Sequence, residues 1–229
     1  MTNTAWTMPD VLHKQHGNQA VALLRRYFRI GDDRQPDFTG SMFERFDGGG
    51  DAPEAVDRFT TADLVAVSML SVNVPAAAAL RILDPGQQRY LNEALAALPH
   101  DVDLVNANDE HIERGERLWK LIRAAGVGPV TTSKLLARKR PRLLPVIDSL
   151  VKDVLNHPRR GDFYRTLRHH LAVDEQALHN HLEDVRDRAE IGSDISVIRC
   201  FDVIVWLTGR DDRDARNNGE SKLRSTTRQ

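Results

Sequence analysis

The sequence predicts an all-α fold of about nine or ten helices in one domain, residues 1–209, and two observations carry that expectation. Apolar residues recur at helical spacing through most of the chain. No internal repeat, no alternating run of strand length and no turn dipeptide between two β-type runs interrupts them. A chain of 229 residues, 41% of them hydrophobic, can bury a sizeable core.

The first helix lies in residues 18–30, NQAVALLRRYFRI, where Val21, Leu24, Tyr27 and Phe28 share one face. Residues 31–59 break the pattern. Gly31, Pro36, Gly40 and the triplet Gly48 to Gly50 punctuate an irregular segment in which Phe38, Met42, Phe43 and Phe46 serve as packing anchors. Thr60 and Asp63 form a capping-box pattern for a helix running to about Val74, apolar nearly all round and hence central to the core. Pro75 opens a helix over AAAALRIL, Pro85-Gly86 turns the chain, and QQRYLNEALAAL forms an amphipathic helix ending before Pro99. After a polar stretch, the helix 109–125 buries Ile112, Leu118, Leu121 and Ile122. A helix beginning near Pro129 follows, then a basic run limited by Pro145, then a helix 149–156 with Asp148 at its cap position. Residues 162–172 and 174–190 predict two further helices, the second capped by Asp174. The stretch 195–207 is apolar all round and is expected to end at Gly209, a helix-stop glycine. The polar tail 210–229 has too little apolar content to fold and is expected to be disordered.

No apolar run approaches the roughly 20 residues a spanning helix needs, and the first ten residues, MTNTAWTMPD, lack the basic and apolar regions of a secretory signal. No membrane partner and a cytoplasmic location are therefore expected. The single cysteine, Cys200, lies in the apolar stretch ISVIRCFDVIVWL. One cysteine excludes a disulfide within the chain and a cysteine-ligated iron–sulfur cluster, and this one reads as core. His169, His170, His179 and His181 fit no short zinc pattern and are expected on a solvated helix pair, so neither metal nor cofactor is assigned. Trp206 reads as core, Trp119 as core or cleft, and Trp6 as a surface or partner contact.

The residues that could carry chemistry concentrate in 125–149, AGVGPVTTSKLLARKRPRLLPVIDS. Gly126 and Gly128 flank Val127 between two helical patterns, which predicts a tight hairpin in which both glycines take conformations closed to other residues. Pro129 suits a first helical turn. The free N–H groups of the hairpin, those of Val130 and Thr131 among them, would then face an approaching anion that no side chain blocks. A net charge of −1 argues against coating nucleic acid by bulk charge, but its distribution is uneven. Between Glu116 and Asp148 there is no acidic residue, whereas Arg117, Lys120, Arg123, Lys134, Arg138, Lys139, Arg140 and Arg142 are all basic. Lys134 and the cluster Arg138, Lys139, Arg140 and Arg142 are therefore expected to grip backbone phosphates beside the hairpin.

This block resembles the helix-hairpin-helix element of the base-excision DNA glycosylase superfamily, where a GVG-x-x-T-A turn is followed some twenty residues later by V-D-T-H-V. The counterparts are Gly126, Val127, Gly128, Thr131 and Thr132, then Ile147, Asp148, Ser149, Leu150 and Val151. The likeness spans about 30 of the 229 residues, with Thr132 in place of a small alanine and Ser149-Leu150 in place of Thr-His. It implies two helical lobes with a reaction cleft between them, a hairpin within residues 109–140, and Asp148 as the carboxylate that assists cleavage of the base–sugar bond. Members that also cut the strand carry a lysine two residues after the second glycine. Val130 stands there, so a covalent amine step is not expected. The chain is also similar to an uncharacterised bacterial family with the core G-V-G-P-x-T-x-S-K-L-L-x-R-K-R-P-R-L, membership of which names no activity.

The expected partner is double-stranded DNA held through its backbone phosphates, with a monovalent cation at the hairpin. The leading expectation is a monofunctional DNA glycosylase acting on a flipped-out damaged base. The hairpin would hold the backbone, and Asp148, kept ionised at a helix N-terminus, would stabilise positive charge on the sugar or activate water. One alternative is a non-catalytic module that binds the DNA backbone and uses Asp148 only as a helix cap. Another is a helical scaffold whose basic segment meets an acidic protein surface.

Overall fold

The structure, a computed structural model, describes residues 6–32, 34–159 and 161–226. Nine α-helices and no strand occur among them, so the all-α expectation holds. In chain order they are α1 (Gly17–Phe28), α2 (Thr61–Ala66), α3 (Ala76–Leu83), α4 (Pro85–Ala96), α5 (Asp109–Ala124), α6 (Pro129–Lys139), α7 (Ser149–Val154), α8 (Phe163–Ala189) and α9 (Val197–Thr226). Two groups of contacts organise them. Helices α1, α7, α8 and α9 pack on one another, while α3, α4, α5 and α6 pack in succession with α2 against α6. A single apolar core runs through both groups, with Leu24, Ile82, Ile112, Leu135, Leu167 and Ile204 all without solvent exposure.

Local chemistry starts most of these helices where the sequence places them. Thr60 and Asp63 form the reciprocal capping box of α2, and Asn108 with His111 does the same for α5. Asp84, Asp148 and Asp162 each accept a backbone N–H at the start of α4, α7 and α8. Each such cap is worth about 1 kcal/mol because it satisfies a donor that the helix itself leaves free.

Six expectations are corrected. The helix expected to reach Val74 is shorter. After α2 the chain tightens into a 3-10 turn, Val67–Leu70, and Ser71 ends it in the left-handed region at φ 60°. Asp174 is not a helix cap: Asp174, Glu175 and Gln176 all take positive φ and form the kink that divides α8 into its two expected segments. Gly209 does not stop α9, which runs on to Thr226. Its missing side chain lets α9 cross α7 closely, because a Cβ there would collide with Val154 and crowd Leu150 at 3.0 Å. The tail expected to be disordered is thus helical as far as Thr226, with residues 210–218 exposed, and 227–229 lie outside the described residues. Trp6, expected at the surface, is only 6% exposed: it stacks on His170 at 5.3 Å and donates its indole N–H to His157 Nδ1 at 2.8 Å. His179 and His181 are likewise buried rather than solvated. Among the described residues no three His, Cys, Asp or Glu side chains gather as a metal site.

The irregular segment 31–59 has no sheet or long helix to satisfy its backbone, and part of it is buried against the C-terminal end of α6. Gly50 sits so close that a Cβ would strike the carbonyl oxygen of Arg138. A buried loop of this kind needs donors for its carbonyl groups. α6 supplies them, with consequences for the site.

Candidate functional site

The hairpin joins α5 to α6 through Ala125, Gly126, Val127 and Gly128. Gly126 takes φ +93°, a conformation that suits glycine. Gly128 does not: at φ −64° and ψ 156° it is ordinary extended backbone, which corrects the expectation that both glycines are conformationally required. A Cβ at Gly128 would meet nothing within 4 Å. Two arginines brace the turn, Arg81 donating to Ala125 O at 3.1 Å and Arg123 to Val127 O at 2.5 Å. The first helical bond of α6 runs from Thr132 N to Gly128 O at 2.9 Å, so the N–H groups of Val130 and Thr131 precede the helical ladder. The Thr132 hydroxyl also donates to Gly128 O at 2.9 Å, which accommodates a residue larger than alanine.

Ser133 ties the hairpin to the segment carrying Asp148, since its hydroxyl oxygen accepts from Ile147 N at 3.4 Å. Asp148 divides its two oxygens. Oδ1 caps α7 by accepting from Leu150 N at 2.9 Å, and Oδ2 lies 3.7 Å from Lys134 Nζ. The carboxylate is 24% exposed and borders two cavities. The first, about 460 Å³, has Tyr27, Phe38 and Trp206 on its walls and Lys134, Arg199 and Asp202 among its polar groups. The second, about 590 Å³, opens at the start of α6 beside Pro129 and Val130 and is lined by Trp119, Lys120, Lys152 and Tyr164. The Tyr164 hydroxyl is buried there without a hydrogen-bond partner.

The basic run does not reach this surface. Arg138, Lys139 and Arg140 are almost wholly buried and direct their donors into the protein. Arg138 donates to Glu44 O at 2.7 Å and to Phe43 O and Phe46 O, and pairs with Asp63 at 3.2 Å. Lys139 donates to Ala55 O at 2.6 Å and to Gly50 O, and pairs with the other Asp63 oxygen at 3.3 Å. Arg140 reaches Leu98 O at 2.9 Å, Val56 O at 2.7 Å and Asp57 at 2.6 Å. Burial holds the pKa of both Lys139 and Arg140 below the ordinary values, with their carboxylate partners opposing the shift. The expectation that these three side chains grip phosphate is therefore corrected: their donors already serve the loop carbonyls, and exposing them would mean unfolding residues 43–57.

Lys134 is corrected in the same way. It is 5% exposed, donates to Leu70 O at 2.7 Å and faces the first cavity rather than solvent. Burial lowers its pKa, and Asp148 partly restores it. Arg142 is the one member of the run at the surface, and it pairs with Asp103. Of the hairpin backbone expected to contact phosphate, Val130 lines the second cavity, together with Lys120 and Lys152 from neighbouring elements, whereas Gly126, Val127, Gly128 and Thr131 line neither cavity. Val127 itself is buried.

Sequence reasoning missed Arg199, Asp202, Tyr27 and Phe38 at the first cavity. Arg199 is fully enclosed, donating to Tyr27 Oη at 2.9 Å and Gly40 O at 3.0 Å and pairing with Glu44 at 2.7 Å and with Asp202. Burial pushes the Asp202 carboxyl up to about 6, with Arg199 opposing and Asp148 adding to the rise. Burial likewise pushes Glu44 upward, against the pull of Arg199. The signal was present in the sequence: an arginine and an aspartate three residues apart inside the otherwise apolar stretch 195–207 are buried only if they are paired.

No curated protein matches the chain, and no solved structure does. Residues 20–209, which hold most of the nine-helix assembly and the lining of both cavities except Arg210, match a family described as a family of unknown function (DUF6308), and the chain belongs to that family.

Proposed function

We propose that this protein binds duplex DNA at its hairpin and hydrolyses the base–sugar bond of a nucleotide turned out of the stack, with Asp148 as the carboxylate beside the sugar. The observation that carries this reading is the position of Asp148 in the wall shared by two cavities of different character. A flipped nucleotide is a phosphate, a sugar and a planar base in sequence. The start of α6 at Val130, with Lys120 and Lys152, can hold the phosphate side, and the aromatic-walled cavity can take the base. The sugar then lies at Asp148, where positive charge develops as the base departs. Gly128, which the fold does not need as a glycine, leaves room for the backbone to approach.

With the basic run buried, few cations are left to contact phosphate. Two to four such contacts give a logarithmic salt slope of about −2 to −4, shallower than eight free cations would produce. One observation favours the non-catalytic module instead: Oδ1 of Asp148 is committed to capping α7, as a purely structural aspartate would be. Mass-spectrometric detection of free bases from DNA carrying alkylated, oxidised and deaminated lesions separates the two. Wild type is expected to release a base and Asp148→Asn is expected not to, although asparagine caps a helix about as well and should change stability by under about 1 kcal/mol. No base from any pool, with salt-dependent DNA binding retained, would give the site to the non-catalytic module.

A further inference from the structure

The first cavity holds a second carboxyl group. Asp202 stands on α9, buried, with Oδ2 engaged by Arg199, and among the described residues no donor engages its Oδ1. The cavity beside it has an aromatic wall. Tyr27 and Phe38 stack at 5.1 Å with their planes 19° apart, Trp206 stands edge-on to both, and the Arg210 guanidinium lies 5.0 Å from the Phe38 ring centre. A buried carboxyl in the wall of a cavity that a second carboxyl group, Asp148, also lines is the kind of arrangement in which one group can donate a proton and the other attend the sugar.

Resting on the base-excision reading above, we infer that Asp202 is a second catalytic group of this cavity, the general acid that protonates the departing base while Asp148 attends the sugar. The substrate class that follows is a neutral heterocycle, which leaves poorly as an anion and well once protonated. The protonated carboxyl of Asp202 gives its proton to a ring nitrogen of the base, and the base–sugar bond breaks with its electron pair going to the base. Water adds its oxygen to the sugar carbon and its proton passes to Asp148. The products are the free neutral base and a sugar hydroxyl, and exchange with solvent returns the proton from Asp148 to Asp202.

The surroundings of Asp202 keep a proton within its reach near neutral pH. Arg199 on its own helix favours the ionised form, whereas burial and the charges of Asp148 and Glu44 oppose it, so its carboxyl is raised to about 6. Tyr27 from α1 stays a neutral phenol, its own pKa raised by burial. Lys134 from α6 faces the same cavity, its charge drawn by both aspartates. Asp37 at the rim is paired with Arg29 at 2.9 Å.

The test compares two leaving groups: duplex DNA containing hypoxanthine, a neutral purine, and duplex DNA containing 7-methylguanine, whose ring already carries positive charge. Asp202→Asn is expected to lose about 10²-fold or more of hypoxanthine release and to keep 7-methylguanine release, because only the first needs an acid. Equal loss of both, or loss of neither, overturns the inference. Because the variant leaves Arg199 with one counter-ion fewer, the wild-type pH profile provides an independent reading. Hypoxanthine release should fall as pH rises past about 6, where Asp202 loses its proton, relative to 7-methylguanine release. Parallel profiles overturn the assignment even if base excision is real. Wild type that releases neither base at any pH overturns the base-excision reading and this inference with it.

Discussion

The two ends of α6 are built from one continuous stretch of eleven residues, yet they face opposite demands. At the N-terminal end, Gly128 stands in open space, the amides of Val130 and Thr131 precede the helical ladder, and two cavities adjoin. At the C-terminal end, Arg138, Lys139 and Arg140 are sealed inside the protein, their donors spread over loop carbonyls and the carboxylates of Asp63 and Asp57. The end that looks electrostatic in the sequence is structural, and the end with no side-chain charge is the open one. A run of cations signals an exposed basic patch only when nothing else in the chain lacks donors. Here residues 43–57 lack them, because an irregular loop has no ladder of its own. A cation that reaches several carbonyls and a carboxylate can be buried despite the several kcal/mol of lost hydration per ion.

Arg138→Ala is expected to have the largest effect. It leaves Asp63 with half of its compensation and the carbonyls of Phe43, Glu44 and Phe46 without their donor, so a loss of about 3–5 kcal/mol is expected in urea unfolding. At low temperature, whatever fraction stays folded should bind DNA with the wild-type salt slope. A stable variant with a reduced slope would return Arg138 to the binding surface. Gly50→Ala tests the same end with less force. The added methyl meets the rigid carbonyl of Arg138 rather than a movable side chain, and about 1–3 kcal/mol of destabilisation is expected by thermal melting. An unchanged melting temperature would mean that the loop is not clamped to α6 as described. Gly128→Ala sharpens the other end: with no neighbour within 4 Å and an unstrained backbone, stability should stay within about 0.5 kcal/mol of wild type, while DNA affinity falls. Unaltered affinity in a titration would detach the hairpin from DNA altogether.

Much of the fold was legible because its causes are local. Thr60 with Asp63, and Asp148, cap helices where they stand, since a cap needs only residues within one turn. Val21, Leu24, Tyr27 and Phe28 face inward for the same kind of reason, a period read along the chain. The failures share the opposite cause. Gly209 reads as a helix stop unless α7 is known to cross beside it, and Trp6 reads as a surface residue unless His157, His170 and Phe163 are known to enclose it. Within the site, the hairpin and Asp148 were legible as a contiguous pattern, whereas Tyr27, Phe38, Asp202 and Trp206 reach one cavity from positions up to 179 residues apart.

The helices, most of their starts, the Gly126 turn and the position of Asp148 at a helix N-terminus can be read along the chain, because each follows from interactions within a few residues. Which cations meet solvent, which glycine the fold requires and which carboxyl groups share a cavity emerge only once the helices are packed. The reason is that burial and electrostatics depend on what lies across space from a side chain, and hydrogen-bond donors of α6 are claimed by a loop more than eighty residues earlier in the chain.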